Sequence, residues 1–214
     1  MPSTVSPDPE RGRISAALIA LVVERGYDAV TLEPLLERAG VDRVAFESRF
    51  ADVRDCFDQV WDEMSASFVV EIREAFARDD QWREKMRRAA YYTLRYFTED
   101  MVRASFFLVG TLSGGDVATA RRDRLVALAV EFVVVGRQDL ADPELVSVAD
   151  AEGIAGGIYA ALTAAVRKGE FAELGELVPQ LMYLAVLPFH GVEAAQEELG
   201  RGPADLERFR RGEL

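Results

Sequence analysis

The 214-residue chain contains one cysteine and one histidine, and this scarcity limits the chemistry available to it. The single Cys56 precludes a disulfide within the chain and suits a reducing compartment, so we expect a cytoplasmic protein. With Cys56 and His190 alone, one chain cannot form a zinc site of the usual composition, and the paired Glu-x-x-His of a di-iron bundle is missing. A Gly-rich phosphate loop and a nucleophile elbow are also missing. We therefore expect no enzyme, no metal and no cofactor.

Long apolar runs and an excess of positive charge are missing as well. No apolar run approaches the ~18–20 residues that a membrane span requires, and the N-terminus MPSTVSPDPERGR lacks the apolar core of a signal peptide. We expect no membrane partner and a disordered arm at about 1–10. The net charge is −12, to which seven arginines and ten acidic residues in 1–57 contribute −3. DNA binding would therefore depend on a few placed arginines, with a shallow salt dependence.

Helical periodicity, in contrast, is present along almost the whole chain. Long alternating patterns and Asn-Gly hairpin signals do not occur, so the predicted fold class is all-α. We predict helices at 11–25, 32–39, 43–49, 54–78, 81–98, 101–112, 117–136, 144–169 and 173–188, with a short one at 191–199. Asp142 and Pro143 are expected to begin the helix at 144, and Pro188 to end the next. The charged tail after residue 200 is expected to be loose.

The stretch TLEPLLERAGVDRVAFESRF, residues 31–50, has the pattern of two short amphipathic helices joined by a turn. Thr31 can cap the first helix, Gly40 can end it, and Asp42 can cap the second. Phe46 would point into the core, which leaves an outer face on the second helix. That face carries Arg43, Val44, Ala45, Glu47, Ser48 and Arg49. It suits base edges, thymine methyls and phosphates, as in a helix-turn-helix, although an ordinary hairpin with a solvated face shows the same pattern.

Three runs of the chain resemble the TetR (tetracycline-repressor, AcrR-like) family of bacterial transcriptional regulators. RISAALIALVVERGYDAVTL resembles the first helix and turn of the family, and AGVDRVAFESRF resembles its motif AGVS-x-x-x-[LF]-Y-x-x-F. ADVRDCFDQVWDEM resembles the start of its long connecting helix, so the register holds from Arg13 to about Met64. A fourth run, GIAGGIYAALTAAVRKGEFAELGELVPQLMYLAVLPFHG, resembles the last two helices of the family. Residues 80–150 show no such resemblance.

The resemblance implies a helix-turn-helix DNA-binding domain at 1–57 and a helical ligand-binding and dimerisation domain at 58–214, joined by the helix at 54–78. It implies a homodimeric regulator, a repressor as most similar proteins are, that binds a palindromic operator in double-stranded DNA. The residues implied to contact DNA are Thr31, Arg43, Val44, Ala45, Glu47, Ser48, Arg49 and Arg54.

Three positions in or beside this set depart from the family pattern. Glu47 replaces a Tyr that usually touches phosphate, Val44 replaces a common Gly, and Val53 replaces a Lys, with Arg54 beside it as a substitute. A carboxylate facing phosphate is unfavourable, but Glu47 could accept from a cytosine amino group or pair with Arg43. The alternative is a similar helical dimer that binds a small molecule or a protein and has weak or lost DNA binding.

Small side chains follow one side of the helix at 144–169, and leucines recur at helical spacing in the next helix. The proposed dimer residues are Gly153, Gly157, Ala160, Ala161, Ala164, Leu177, Leu181 and Leu184. Two such helices from each subunit could form a four-helix dimer core, as the resemblance also implies. Packing of these helices inside one subunit is the alternative.

The middle of the chain is rich in aromatic residues, where similar proteins usually enclose a small-molecule pocket. The residues expected to bind a small, mostly apolar effector are Trp82, Tyr92, Tyr96, Arg103, Phe106, Phe107, Thr111 and Phe132. Tyr92, Tyr96, Arg103 and Thr111 could orient the ligand. A plain packed core would contain aromatics at the same spacing. A bound effector would tilt the helix at 54–78 and change the spacing of the two DNA-contacting helices.

Overall fold

The computed structural model describes residues 8–77, 81–113, 115–170, 174–211 and 213. Within these ranges all regular structure is helical, which confirms the predicted all-α class. The nine α-helices are α1 Pro9–Arg25, α2 Leu32–Ala39, α3 Arg43–Glu47, α4 Val53–Phe76, α5 Trp82–Glu99, α6 Met101–Val109, α7 Asp116–Val135, α8 Val148–Lys168 and α9 Leu174–Arg210. Short 3₁₀ turns occupy Tyr27–Ala29, Gly136–Asp139 and Pro143–Leu145.

Helices α1, α2 and α3 pack around a small core of their own at the N-terminal end. Ile14 and Leu18 of α1, Leu35 of α2, and Phe46 and Phe50 around α3 are at most 1% exposed. Burying five large apolar side chains of this kind contributes about 1.5–3 kcal/mol for each of them, which fixes α3 firmly on the other two helices.

Local caps set the angle between α2 and α3. Gly40 ends α2 with a φ of 63°, a conformation that side chains with a Cβ rarely adopt. The Asp42 carboxylate accepts a 2.7 Å hydrogen bond from the Ala45 backbone N–H and so caps α3. Thr31 stands at the position before α2, but its side chain makes no capping hydrogen bond, contrary to our expectation.

Helix α4 runs from the three-helix head into the body, where it packs mainly against α5 and α6. Its first turns bury Cys56, Phe57 and Trp61, and its later turns bury Phe68 and Ile72. One continuous helix therefore packs on the head at one end and in the body at the other. The body also buries charge, because Arg87 of α5 is 2% exposed and pairs with Glu198 of α9, which is equally buried.

Two segments differ from the sequence-based prediction. Helix α8 begins at Val148 rather than 144, because Ser147 and Asp150 cap each other reciprocally and Asp142 instead caps a 3₁₀ turn. The tail after residue 200 is not loose, because the helix continues through Arg210. Gly191, with a φ of 79°, forms a kink that divides α9 into two helical parts, at the break predicted between residues 188 and 191. The first part continues past Pro188 to this kink.

The predicted arm at 1–10 is shorter than expected, since Pro9 and Glu10 already belong to α1 under the Asp8 cap. Residues 1–7 lie outside the described residues.

Candidate functional site

The outer face of α3 is open in the structure. Val44 is 75% exposed, Ser48 is exposed and Ala45 is half-buried, while Phe46 beneath them is fully buried. Phe46 therefore anchors α3 in the core, and among the described residues the outer face of α3 stays accessible. This is the placement that contact with a DNA groove requires.

The two arginines of this face are held by carboxylates. The Arg43 guanidinium lies 3.0 Å from a Glu33 carboxylate oxygen and 3.4 Å from one of Glu47. Arg49 lies 2.7 Å from Asp8 and 2.8 Å from Glu10. The expected pairing of Glu47 with Arg43 is therefore present, whereas the pairing of Arg43 with Glu33 joins α2 to α3 across ten positions and was not expected from the sequence.

The Arg49 pair perturbs the ionisation of its partner. The hydrogen bond from Arg49, together with two backbone N–H donors, lowers the pKa of Asp8 to about 2. Asp8 is therefore charged at neutral pH, and it keeps Arg49 against the start of α1 rather than extended from α3.

The remaining predicted DNA contacts lie at the edges of the head. Thr31 is exposed directly before α2, and Arg54 is exposed at the start of α4, 3.9 Å from Asp58. Arg54 is thus the least restrained arginine among the predicted contacts, because a pair at that distance between exposed groups contributes little.

An apolar cavity of about 140 Å³ lies in the body among α4 to α9. Of the predicted ligand residues, Phe107 and Phe132 line it, together with Phe68 and Ile72 of α4, which the prediction did not include. No charged side chain lines it. Such a lining fits an uncharged, apolar guest.

Thr93 and Tyr159 are the polar side chains of the cavity. The Thr93 hydroxyl donates to the Ala89 carbonyl at 2.9 Å, and the Tyr159 hydroxyl lies 2.6 Å from that of Thr111. Thr111 therefore reaches the cavity only through Tyr159. The hydrogen-bonding groups of the cavity wall are largely bonded to other protein atoms, so at most one or two of them remain to orient a ligand.

Two predicted ligand residues lie in packed core instead. Trp82 donates from its indole N–H to the Phe132 carbonyl at 2.8 Å and packs on Phe189. Phe106 is fully buried against Phe57, with ring centroids 4.9 Å apart. Three others, Tyr92, Tyr96 and Arg103, line a separate polar cleft between α1 and the body.

A compact contact joins the head, α4 and the cavity wall. The Trp61 indole N–H donates to the Phe107 carbonyl at 2.9 Å, and the two rings stack at 5.3 Å. Arg121 of α7 places its guanidinium 4.7 Å from the Phe57 ring and 5.1 Å from the Trp61 ring, and it pairs with Asp58. Phe107 thus lines the cavity and packs on the first half of α4.

The proposed dimer residues form a partly exposed face on α8 and α9. Gly153, Ala160, Ala164 and Leu184 are exposed, and the other four, Gly157, Ala161, Leu177 and Leu181, are half-buried. A Cβ at Gly157 would stand 3.2 Å from a Leu184 methyl, so this glycine also lets the two helices approach within one chain. Leu181 contributes to the cavity lining as well.

In the part of the chain that the structure describes, no helix is long and apolar enough to span a bilayer. The same residues contain no group of three or more His, Cys, Asp or Glu side chains arranged to hold a metal ion.

Neither models of known families nor curated protein sequences match this chain. Solved structures do match it. The γ-butyrolactone receptor (ArpA-like protein) superposes with a TM-score of 0.73 at 16% identity, covering 93% of this chain and 96% of that one. The transcriptional regulator FadR from Bacillus subtilis, in complex with stearoyl-CoA, gives 0.71 at 17% identity over 84% and 99%. A TetR family transcription regulator from Marinobacter aquaeolei gives 0.61 at 17% identity over 85% and 95%.

These structural neighbours include transcriptional regulators, one of them of the TetR family, and the chain has their all-helical fold. The resemblance noted in the sequence is therefore confirmed at the level of the fold.

Proposed function

We propose that the chain is a cytoplasmic, homodimeric transcriptional regulator, a repressor, that binds a palindromic DNA operator through α3 and is released by a small, uncharged, mostly apolar effector. The open outer face of α3 on a buried anchor is the observation that carries this proposal. The neighbours with this fold include a regulator in complex with stearoyl-CoA and a γ-butyrolactone receptor, which supports an effector-responsive body.

In this proposal Val44 contacts thymine methyls, and Arg43 contacts a base edge or a phosphate. Arg43 must first leave Glu33 and Glu47, but all three side chains are more than half exposed, so each pair is worth only about 0–1 kcal/mol. The pairs therefore position Arg43 without holding it permanently.

The dimer would form through the exposed face of α8 and α9. Gly153, Ala160 and Ala164 allow close approach of a second helix, and Leu184, 39% exposed, supplies apolar area to bury. Two subunits related by a two-fold axis would then present two copies of α3 to a palindromic site.

The effector would act through α4. Phe68 and Ile72 line the cavity, and Phe57 on the same helix packs against Tyr27 of the head, with ring centroids 4.5 Å apart. A guest that enlarges the cavity would displace the far end of α4 and change the distance between the two copies of α3. The effector must prefer this displaced state, because a ligand with equal affinity for both states shifts nothing.

Selection from a pool of random DNA duplexes, followed by fluorescence anisotropy at about 50 mM salt, tests the proposal, because electrostatic binding is strongest at low salt. We expect a two-fold symmetric consensus, and loss of binding on Val44→Asp. Val70→Asp is the matched control, since Val70 is also an exposed valine, 56% accessible, but lies on α4. Specific binding unaffected by Val44→Asp would refute the role of α3.

The second candidate function is a helical dimer that binds a small molecule or protein without useful DNA affinity. Arg43 and Arg49 both form ion pairs with carboxylates of the same chain, which favours this candidate because neither arginine is then free to contact DNA. Absence of any DNA binding at about 50 mM salt, with an intact dimer in sedimentation, would support this candidate over the first.

A further inference from the structure

The polar cleft that contains Tyr92, Tyr96 and Arg103 is a second cavity, of about 580 Å³. Its lining shares no residue with the apolar cavity. Ser15 and Ile19 of α1 form one wall, and α4, α5 and α6 form the others. The cleft thus lies between the head and the body.

The charges of the cleft do not balance. Three glutamates and two arginines line it. Each arginine has an exposed carboxylate close by in sequence: Arg95 lies 3.8 Å from Glu99, and Arg103 lies 3.3 Å from Asp100, and pairs of this kind contribute little. The Glu63 carboxylate also has a cationic partner, because it pairs with Arg11.

Glu71 is the remaining carboxylate, and among the described residues it has no cationic partner. It accepts hydrogen bonds from the Tyr92 hydroxyl at 2.7 Å and from the Ser67 hydroxyl at 3.2 Å. These donors orient the carboxylate, which is exposed to solvent.

Aromatic rings lie beside this carboxylate. Tyr92 and Tyr96 stand one turn apart on α5 and both line the cleft, with ring centroids 6.4 Å apart. The Arg95 guanidinium lies 5.5 Å from the Tyr92 ring centroid, so one tyrosine face already accepts a cation. Burial, and then the hydrogen bond and charge of Glu71, raise the pKa of Tyr92, so its hydroxyl remains a donor to Glu71 at neutral pH.

We propose that this cleft binds a small organic cation, an ammonium group on an apolar or aromatic body. The ammonium would lie at Glu71, the body would pack on Tyr96 and on Met64, and the far side would contact Ile19. A carboxylate beside tyrosine faces is the chemistry that binds ammonium groups, whereas an anion would meet an unpaired negative charge.

Such a ligand would touch the head and the body at once. Ser15 and Ile19 belong to α1 and the other lining residues to α4, α5 and α6, so in this proposal binding is coupled to any displacement of α1 against those helices, equally in both directions. The binding itself does not depend on the proposed regulatory function.

Isothermal titration of the full chain, without DNA, tests the proposal with benzyltrimethylammonium, and with benzyl alcohol and benzoate as neutral and anionic counterparts. We expect the ammonium to bind and benzoate to give no heat of binding. Glu71→Gln should weaken ammonium binding by about three- to fivefold, since an ion pair with an exposed carboxylate is lost. Glu74→Gln, an exposed glutamate on the same helix outside the cleft, should leave the affinity within about twofold.

A second variant tests the aromatic contribution. Tyr96→Leu keeps apolar area but removes the ring, so the ammonium should bind about two- to fivefold more weakly. Circular dichroism and thermal unfolding must show that each variant is folded. Benzoate binding as tightly as the ammonium, equal effects of Glu71→Gln and Glu74→Gln, or no ammonium binding to the wild-type chain would each overturn the proposal. None of these outcomes involves DNA, so they are distinguishable from failure of the regulatory function.

Discussion

Neutralising Glu47 should strengthen DNA binding. In the structure Arg43 is shared between Glu47 at 3.4 Å and Glu33 at 3.0 Å, in surroundings more than half exposed. Glu47→Gln removes one competitor for Arg43 and one negative charge from the face that would meet phosphate. At about 1 kcal/mol per subunit the gain is roughly fivefold, or roughly 25-fold for a two-fold symmetric site.

The salt dependence provides an independent measure of the same change. If Arg43 then neutralises a phosphate, the slope of log affinity against log salt should steepen by about 0.9 per subunit. Fluorescence anisotropy between about 50 and 200 mM salt measures both quantities. Glu74→Gln is the control, because it changes the net charge equally but lies on α4. Glu47→Tyr should strengthen binding at least as much, because its phenol can donate to phosphate.

Unchanged affinity and slope for Glu47→Gln would refute this reasoning and show that Glu47 does not face phosphate. Weaker binding to the operator alone, with unrelated duplexes unaffected, would show instead that Glu47 accepts a hydrogen bond from a cytosine amino group.

Three further predictions concern stability and reactivity. Gly110→Ala should lower the free energy of unfolding in urea by about 1–3 kcal/mol, because its Cβ would clash with the Trp61 ring; an unchanged midpoint would contradict this. Burial raises the pKa of Cys56 to about 12, so a thiol reagent should label the native chain only through unfolding from pH 7 to 9. The pKa of Cys56 is higher in the folded chain than in the unfolded chain. Any stability linked to this thiol is therefore present at neutral pH and is lost as pH rises from about 8.5 towards 12. Rapid labelling of the native chain would argue against burial. Arg87→Met should cost about 3–5 kcal/mol in the same urea assay, since Glu198 would remain buried with less compensation, and a loss below about 1 kcal/mol would show that the pair contributes little.

The elements with local determinants were predictable from sequence. Gly40 and Asp42 act through their own backbone conformation or first turn, and each ends or caps a helix as expected. The start of α8 was not predictable, because Asp142-Pro143 and Ser147 are both acceptable helix beginnings and the choice depends on packing. The order of the tail depends on Arg87, far away in sequence.

The candidate site also has parts that the sequence predicts and parts that it does not. The outer face of α3 follows from the spacing of buried Phe46 and Phe50, which is a local pattern. Periodicity alone cannot separate an aromatic that lines a cavity, such as Phe107, from one packed in solid core, such as Phe106. Tyr92 lines a polar cleft because its hydroxyl bonds to Glu71 on another helix, and the pattern of residues along the sequence does not reveal such a contact.

The buried pair of Arg87 and Glu198 has a consequence for biosynthesis. The two residues are separated by 111 positions, so a ribosome places a positive charge destined for the interior long before it makes the matching carboxylate. Until that late stretch emerges, the nascent body must keep the guanidinium in water. The body therefore completes its folding only after α9 has been made, whereas the residues that α1, α2 and α3 bury are made much earlier.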